Sequence, residues 1–265
     1  MKRAMAVLTV LVIGLWGCGE SESPEPPEPA GSSETTAAQS TPAFTVAEAK
    51  KAVWPPPGGG EIDQLDPMPT RANYLAVLDM SGSMRDPDCA GQYPSKAEAA
   101  RAALDAWLRS IPEEANIGLV IFASSEVNLA VPLGVDNRRA FMAAAEAAQP
   151  SGKTPLKDAL SLARAELERR ARYQQGYGDY RIVVITDGMH SDGQDPRPEV
   201  DAILGNPANP ILIYTIGFCI EGSALHQPGR TVYQSARSPE ELTQGLQRVL
   251  AESQAFDVIK EFEAQ

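Results

Sequence analysis

From residue 73 onwards, apolar blocks alternate with segments in which apolar side chains recur at helical spacing. Four blocks are almost continuously apolar and are bounded by turn-forming residues, which is typical of strands buried on both faces of a sheet. These blocks are NYLAVLDMS (73–81), NIGLVIFAS (116–124), RIVVITDG (181–188) and PILIYTIGF (210–218). Two further blocks are weaker. EVNLAVPL (126–133) contains Pro132 and therefore predicts an edge strand, and TVYQSA (231–236) predicts a brief strand.

The segments between the strands have helical spacing, and most of them begin with a recognisable cap. Helices are predicted over 95–112, 136–149, 154–172 and 198–204, with a last helix that begins at residues 238–239. The predicted N-caps are Ser95, Asp136, Thr154 and Ser238. Glu98 and Glu241 complete capping boxes in the first and last of these helices.

This alternation predicts an α/β fold: a doubly wound, mostly parallel sheet with helices on both faces. In such a sheet, ligands bind beyond the carboxyl ends of the strands. The segments DMSGS (79–83) and TDG (186–188) each end a predicted buried strand. We therefore expect both segments at the same edge of the sheet.

Oxygen-bearing side chains are concentrated at this predicted edge and in the SGKTPL loop. Two are carboxylates and three are hydroxyls: Asp79, Ser81, Ser83, Thr154 and Asp187. A hard, all-oxygen set of this kind suits Mg²⁺, and Mn²⁺ or Ca²⁺ could replace it. Taken singly, each residue has an ordinary alternative as a turn former or a helix cap. The hypothesis of a metal site therefore depends on the whole set.

The segments DMSGSM (79–84), SGKTPL (151–156) and ITDG (185–188) resemble, in this order, the von Willebrand factor type A (VWA) domain and its metal-ion-dependent adhesion site, or MIDAS. The resemblance covers residues 71–253 and implies a Rossmann-like fold. It implies metal contacts, direct or through water, at the five side chains named above. It also implies that a water molecule or an acidic residue of a protein partner completes the coordination.

The N-terminus has the pattern of an export signal. Lys2 and Arg3 precede 13 apolar or small residues, Ala4 to Trp16, a run too short to span a membrane as a helix. The following LWGC (15–18) resembles the lipobox of bacterial lipoproteins, which implies cleavage before Cys18 and acylation of that cysteine. A soluble secreted protein with an incidental Cys18 is the alternative. The expected organisation is a signal peptide at 1–17, a tether at 18–70, a VWA domain at 71–253 and a C-terminal helical tail at 254–265.

The tether is rich in Pro, Ser, Thr, Glu and Gly, a composition that cannot bury a core. Residues 19–66 carry nine acidic side chains against two lysines, so −7 of the chain's formal charge of −12 lies in this segment. The acidic balance argues against nucleic acid as a partner, because its phosphates would repel the chain.

The remaining cysteines are Cys89 and Cys219, an even pair in an exported and oxidising setting. Both follow predicted strands and are expected at the metal-bearing edge. A disulfide between them is one prediction, and two free buried thiols are the alternative. Since the chain has neither a CxxC motif nor a Cys/His cluster, a zinc site is not expected.

The function that these features favour is a non-enzymatic binding module in the bacterial cell envelope. It would be anchored by lipid, with the outer membrane favoured because Gly19 is not the inner-membrane retention signal. The bound Mg²⁺ would capture a carboxylate of a protein partner. A scaffold subunit with a structural metal is an alternative. A metal-dependent hydrolase is a weaker alternative, because no base is placed by sequence to activate a serine.

Overall fold

A single mixed sheet organises the part of the chain that the structure describes. The computed structural model describes residues 53–58, 62 and 64–263, with side chains as far as residue 251. Its strands are β1 (Ala72–Met80), β2 (Asn116–Ala123), β3 (Glu126–Gly134), β4 (Asp179–Thr186), β5 (Leu212–Phe218) and β6 (Val232–Ala236). In this described part they lie in the order β3-β2-β1-β4-β5-β6, and each neighbouring pair is parallel except β2 with β3.

Helices cover both faces of the sheet. They are α1 (Lys96–Ser110), α2 (Arg138–Ala147), α3 (Leu156–Tyr173), α4 (Arg197–Leu204) and α5 (Pro239–Glu263), and a 3-10 helix, Gly82–Arg85, follows β1. Helices α1, α2 and α5 share one hydrophobic core with the sheet, and α3 and α4 share the other. The predicted doubly wound, mostly parallel α/β fold is confirmed.

Strand β1 lies at the centre of the sheet, and its successive side chains enter opposite cores. Tyr74, Ala76 and Leu78 pack in the core beneath α1 and α5, whereas Leu75 and Val77 pack in the core beneath α3. All five are almost completely buried. Burial of each Leu or Val contributes roughly 1.5–3 kcal/mol, so the strand is held firmly from both sides. This explains its unbroken apolar run and fixes the point from which the next residues emerge.

Two of the predicted caps form. The Ser95 hydroxyl accepts a hydrogen bond from the Glu98 amide at 3.3 Å, and α1 begins directly afterwards. At α5, the Ser238 hydroxyl accepts from the Glu241 amide at 3.3 Å, and the Glu241 carboxylate accepts from the Arg237 amide at 2.7 Å. The two serine bonds satisfy amides of the first helical turn that have no partner within the helix, and the Glu241 carboxylate holds the residue that precedes the cap.

The cap predicted at Asp136 is wrong. Asp136 has a φ of +60°, which places it in a turn outside the helix, and Asn137 occupies the position before the first helical residue. The Asn137 side chain does not cap the helix but donates to the Pro132 and Ile117 carbonyls at 2.8 and 3.0 Å. It thereby ties the end of β3 to β2.

The cap predicted at Thr154 is also wrong. Helix α3 begins at Leu156, and Pro155 precedes it with a ψ of 63° that is not helical. Thr154 is instead held by a neighbouring loop, since its amide donates to the Ser191 hydroxyl at 2.9 Å and its carbonyl accepts from the Ser191 amide at 3.1 Å. Its side chain is therefore not required at the helix start.

Trp54 and Asp66 pack at the amino ends of the strands. The Trp54 ring meets the Tyr180 ring edge-on, with 5.3 Å between centroids. The buried Asp66 carboxylate pairs with Arg170 and lies 4.0 Å from Arg71. This end of the sheet is opposite the one at which β1 and β4 finish.

Other predictions fall on residues 1–52, outside the described residues. They concern the signal peptide, the acylated Cys18 and most of the tether. Within the described chain, no helix combines the length and the apolar character needed to cross a bilayer. Helix α5 continues through Glu263 and so includes most of the predicted C-terminal tail.

Candidate metal site

The carboxyl ends of β1 and β4 lie side by side. Leu78 pairs with Ile185 in the parallel ladder, so the two strands end at the same level. The chain leaves β1 towards β2 on one side, whereas β4 lies on the other, which makes this the switch point of the sheet. Crevices at such points are where open α/β sheets bind ligands. Asp79 and Asp187 both lie at this position.

Asp79 is fully buried, and both of its carboxylate oxygens accept hydrogen bonds. Oδ1 accepts from the Ser81 amide at 2.7 Å, and Oδ2 accepts from the Thr186 hydroxyl at 2.6 Å. Burial raises the pKa of Asp79 from 3.8 to about 6, and the nearby charge of Asp187 adds to the rise, although the bonds from Ser81 and Thr186 oppose it. The protein alone therefore leaves this negative charge poorly compensated.

A chain of short contacts leads from Ser81 to Asp187. The Ser81 and Ser83 hydroxyl oxygens lie 3.2 Å apart, and the Ser83 hydroxyl donates to Asp187 Oδ1 at 2.7 Å. Ser83 is half-buried, whereas Ser81 and Asp187 are buried. The two serines thus bridge the ends of β1 and β4.

Lys96, the first residue of α1, supplies a positive charge to the same group. Its Nζ donates to Asp187 Oδ2 at 2.9 Å, and the two side chains are only 8 % and 0 % exposed. Both oxygens of Asp187 are therefore bonded within the protein, one to a hydroxyl and one to an ammonium.

Thr154 reaches this edge on the loop that follows α2. A methyl group placed on Gly188 would lie 3.7 Å from Thr154 Oγ1 and 3.9 Å from Ser83 Oγ, so both hydroxyls border the same small space. Gly152 makes the approach possible. It has a φ of +77°, and a Cβ there would lie 2.3 Å from the Ser125 amide nitrogen, which only glycine avoids. The Gly152 carbonyl accepts from the Gly82 amide at 3.1 Å, which joins the two loops.

The structure brings together all five oxygen side chains that the sequence analysis selected. Three further residues support them and were not predicted: Lys96, Thr186 and Ser191. Thr186 directly precedes Asp187 and could have been suspected from the TDG segment. The role of Lys96 could not be predicted from the sequence, because a lysine at the first position of a helix is normally solvated.

The composition of the site fits a hard divalent cation. In the part of the chain that the structure describes, no group of three or more His, Cys, Asp or Glu side chains is arranged to hold a metal. The site offers two carboxylates and three hydroxyls instead. Mg²⁺ is commonly held by one or two carboxylates with water completing its octahedron, so this set suffices. The poorly compensated Asp79 is the observation within the structure that supports a cation here.

A disulfide borders the same edge. Cys89, in the loop after β1, is bonded to Cys219, directly after β5, with 5.8 Å between their Cα atoms. The Cys219 amide also donates to the Ala236 carbonyl at 2.7 Å. The bridge therefore joins loops that follow two strands on opposite sides of β4.

Comparison with known proteins agrees with this architecture. Residues 74–190 match the family model of the von Willebrand factor type A domain. No curated protein matches the chain. The match contains all but the first two residues of β1, all of β4 and both carboxylates of the candidate site.

Solved structures share the fold at low sequence identity. The VWA domain of SpRpn10 is 18 % identical with a TM-score of 0.53, over 68 % of this chain and 95 % of that domain. A von Willebrand factor type A protein from Catenulispora acidiphila is 18 % identical with a TM-score of 0.54, over 69 % of this chain and 43 % of that one.

A third structure is that of proximal thread matrix protein 1 from the mussel byssus, which has zinc in its MIDAS motif. It is 18 % identical with a TM-score of 0.54, over 69 % of this chain and 46 % of that one. This chain thus spans less than half of the last two proteins, and the likeness to all three concerns the fold alone. Together with the family match over residues 74–190, it shows that this chain has the fold of a von Willebrand factor type A domain.

Proposed function

We propose that this domain binds Mg²⁺, or Mn²⁺ or Ca²⁺ in its place, and uses the bound ion to capture an acidic residue of a protein partner. The ligands are Asp79, Ser81, Ser83, Thr154 and Asp187. The observation that carries the proposal is the meeting of these side chains at the switch point of the sheet, around a buried Asp79 whose pKa is raised to about 6. The zinc-occupied MIDAS motif of the mussel protein is consistent with it.

The position of the site supports recognition of a large partner. Ser83 and Gly188 are half-buried, and the neighbouring Met189 is exposed, so the site opens to solvent on one side. Because Gly188 has no side chain, nothing from that residue covers the hydroxyls of Thr154 and Ser83. A carboxylate on a protruding partner residue can reach an ion held at such a rim.

A purely structural metal is the alternative, and the hydrogen bonds of the site argue against it. Asp79 is bonded to Ser81 and Thr186, and Asp187 to Ser83 and Lys96. These bonds connect β1, β4 and α1 without an ion. We expect the domain to remain folded when the metal is removed, unlike small domains whose folding energy comes from the metal.

Hydrolysis is a weaker alternative. In the described chain, the hydroxyl of Ser83 donates to Asp187, which is itself paired with Lys96. A carboxylate already neutralised by an ammonium is a poor base, so this serine has no partner suited to activating it as a nucleophile. Nδ1 of His190 lies 3.1 Å from the Ser191 carbonyl, and the ring is not bonded to the hydroxyl of Ser81 or Ser83.

The location belongs to the same proposal. We propose that Cys18 carries lipid and that the protein lies in the bacterial cell envelope, with the outer membrane favoured. Trp54 and Asp66 pack at the amino ends of the strands, which is the end of the sheet opposite the metal site. An anchor that joins the domain at this end would leave the site accessible to a partner.

The test compares the chain from residue 53 onwards with its Asp79→Ala variant. The first measurement is calorimetric titration with Mg²⁺ and Mn²⁺, and the second is capture of envelope proteins with and without EDTA. Asp192→Ala is the matched control, because Asp192 is an exposed acid on the same rim. Metal binding and EDTA-sensitive capture should disappear in Asp79→Ala alone. Capture that is indifferent to EDTA would refute recognition through the ion, and unfolding by EDTA would identify the metal as structural.

A further inference from the structure

Lys96 is built into the site and is not a mobile surface lysine. It is 7 % exposed, its amide donates to the Asp86 carbonyl at 2.9 Å, and the capping residue Ser95 precedes it. These contacts fix the start of α1 and hold the ammonium 2.9 Å from Asp187 Oδ2. A buried charge of this kind influences every other charge in the site, because little water screens it.

The charges of the site can be counted. Asp79 and Asp187 contribute −2 and Lys96 contributes +1, so the protein offers a net −1 to a cation. A bound divalent ion would then leave +1 in the site. Without the lysine the site would be −2, and a bound divalent ion would leave it neutral.

We infer that Lys96 is a specificity-determining residue that weakens the binding of the metal and strengthens the binding of the partner's carboxylate. The ammonium repels the incoming cation, since both bind the same aspartate. Once the ion is bound, the residual positive charge attracts an anion that a neutral site would attract less. The inference rests on the proposed function and specifies how that site selects its ligand.

The first test is a calorimetric titration of the full-length chain with Mn²⁺. Lys96→Gln keeps a hydrogen-bond donor beside Asp187 and removes the charge, and Lys96→Met removes both. Lys153→Met is the control, because Lys153 is exposed one residue before Thr154. We expect Mn²⁺ to bind both Lys96 variants about tenfold more tightly, since one buried unit charge is removed, and to bind Lys153→Met about as in the wild type, since exposed charges are screened. Equal affinities in wild type and both Lys96 variants overturn the inference.

The second test uses acetate as the carboxylate probe. Acetate is added to the Mn²⁺-saturated proteins, and water-proton relaxation reports the replacement of metal-bound water. Wild type should bind acetate several-fold more tightly than Lys96→Gln. Equal binding, or no binding to either protein, overturns the role in anion capture.

Thermal unfolding separates this role from a purely structural ion pair. In EDTA, Lys96→Gln should unfold at a lower temperature than wild type, because the buried Asp187 carboxylate loses its counter-charge. Mn²⁺ should then stabilise the variant more than it stabilises wild type. A variant that unfolds at the same lowered temperature with and without Mn²⁺ would show that Lys96 is only a structural partner of Asp187.

The outcomes also separate this inference from the proposed function. If Mn²⁺ binds wild type and Lys96→Gln equally and does not bind Asp79→Ala, the proposed function stands and the role of Lys96 is refuted. If Mn²⁺ binds Lys96→Gln but not wild type, the metal-dependent function of the natural chain is refuted, and Lys96 is shown to oppose the cation. If Mn²⁺ binds none of them, both proposals fail.

Discussion

Replacing Thr186 with valine tests the support of the candidate metal site without touching a predicted ligand. Thr186 is buried at the end of β4, and its hydroxyl donates to Asp79 Oδ2 at 2.6 Å. The same oxygen accepts from the Gly188 amide at 3.3 Å. Valine has the same shape and suits a strand, so the substitution removes these two bonds and leaves no cavity.

The magnitude follows from these bonds. A hydrogen bond to a charged group contributes about 1.5–3 kcal/mol, and the longer bond to Gly188 contributes about 0.5–1 kcal/mol. We therefore expect Thr186→Val to lower the free energy of unfolding in EDTA at pH 8 by about 2–4 kcal/mol. With a urea dependence of roughly 2 kcal/mol per molar, the urea midpoint should fall by about 1–2 M.

The dependence of this loss on pH identifies its cause. Asp79 has a pKa of about 6 in the folded domain, so most of it is protonated at pH 5 and the bond from Thr186 is then no longer charge-assisted. The loss should therefore be smaller at pH 5 than at pH 8. In addition, at pH 8 Thr186→Val should bind Mn²⁺ more weakly than wild type does, because Oδ2 of Asp79 is no longer oriented by a donor.

Thr186→Ser is the matched control, because it retains the hydroxyl and removes one methyl group, at a cost of about 1 kcal/mol. The serine variant should keep the affinity of wild type for Mn²⁺. The reasoning is refuted if Thr186→Val loses less than about 0.5 kcal/mol, or if serine and valine have the same effect on metal binding.

Three other predictions concern stability and are measured by urea unfolding. Replacing Cys89 and Cys219 by serine should lower the free energy of unfolding by about 2–5 kcal/mol, because the disulfide closes a loop across a sequence separation of 130. Reduction of the wild type should give the same loss, and an unchanged urea midpoint would contradict the prediction. The second prediction concerns the raised pKa of Asp79 in EDTA. Between about pH 4 and pH 6, Asp79 is protonated in the folded state and ionised in the unfolded state. Its contribution to stability is therefore present below about pH 4 and is lost as the pH rises through 6, so wild type should lose about 1–1.5 kcal/mol between pH 5 and pH 7.5 relative to Asp79→Asn. Finally, Asp66→Asn should lower the free energy of unfolding by about 2–4 kcal/mol, since it leaves the Arg170 guanidinium without its carboxylate partner. If the pair is responsible, Asp66→Asn should have little further effect in a protein that already carries Arg170→Met.

The sequence by itself determined the fold class and the set of candidate ligands. Strands such as β1 are recognisable because a strand buried on both faces needs a continuous run of apolar residues, and that run is a local property. The alternate spacing of Asp79, Ser81 and Ser83 at the end of such a run is equally local. Since parallel strands place their carboxyl ends at one edge, the sequence alone assigns Asp187 to the same edge.

Tertiary structure decided which side chains support and neutralise these ligands. The Lys96–Asp187 bond joins residues 91 positions apart, and the Thr186–Asp79 bond joins residues 107 positions apart. No periodicity within a segment determines such contacts, because they depend on how the start of α1 and the ends of β1 and β4 are brought together by the two cores. The same reason explains Thr154, which resembles a helix cap in its own segment but is held by Ser191 from a distant loop. A charge such as that of Lys96 is assigned its role only when packing removes it from water and places it beside its counter-charge.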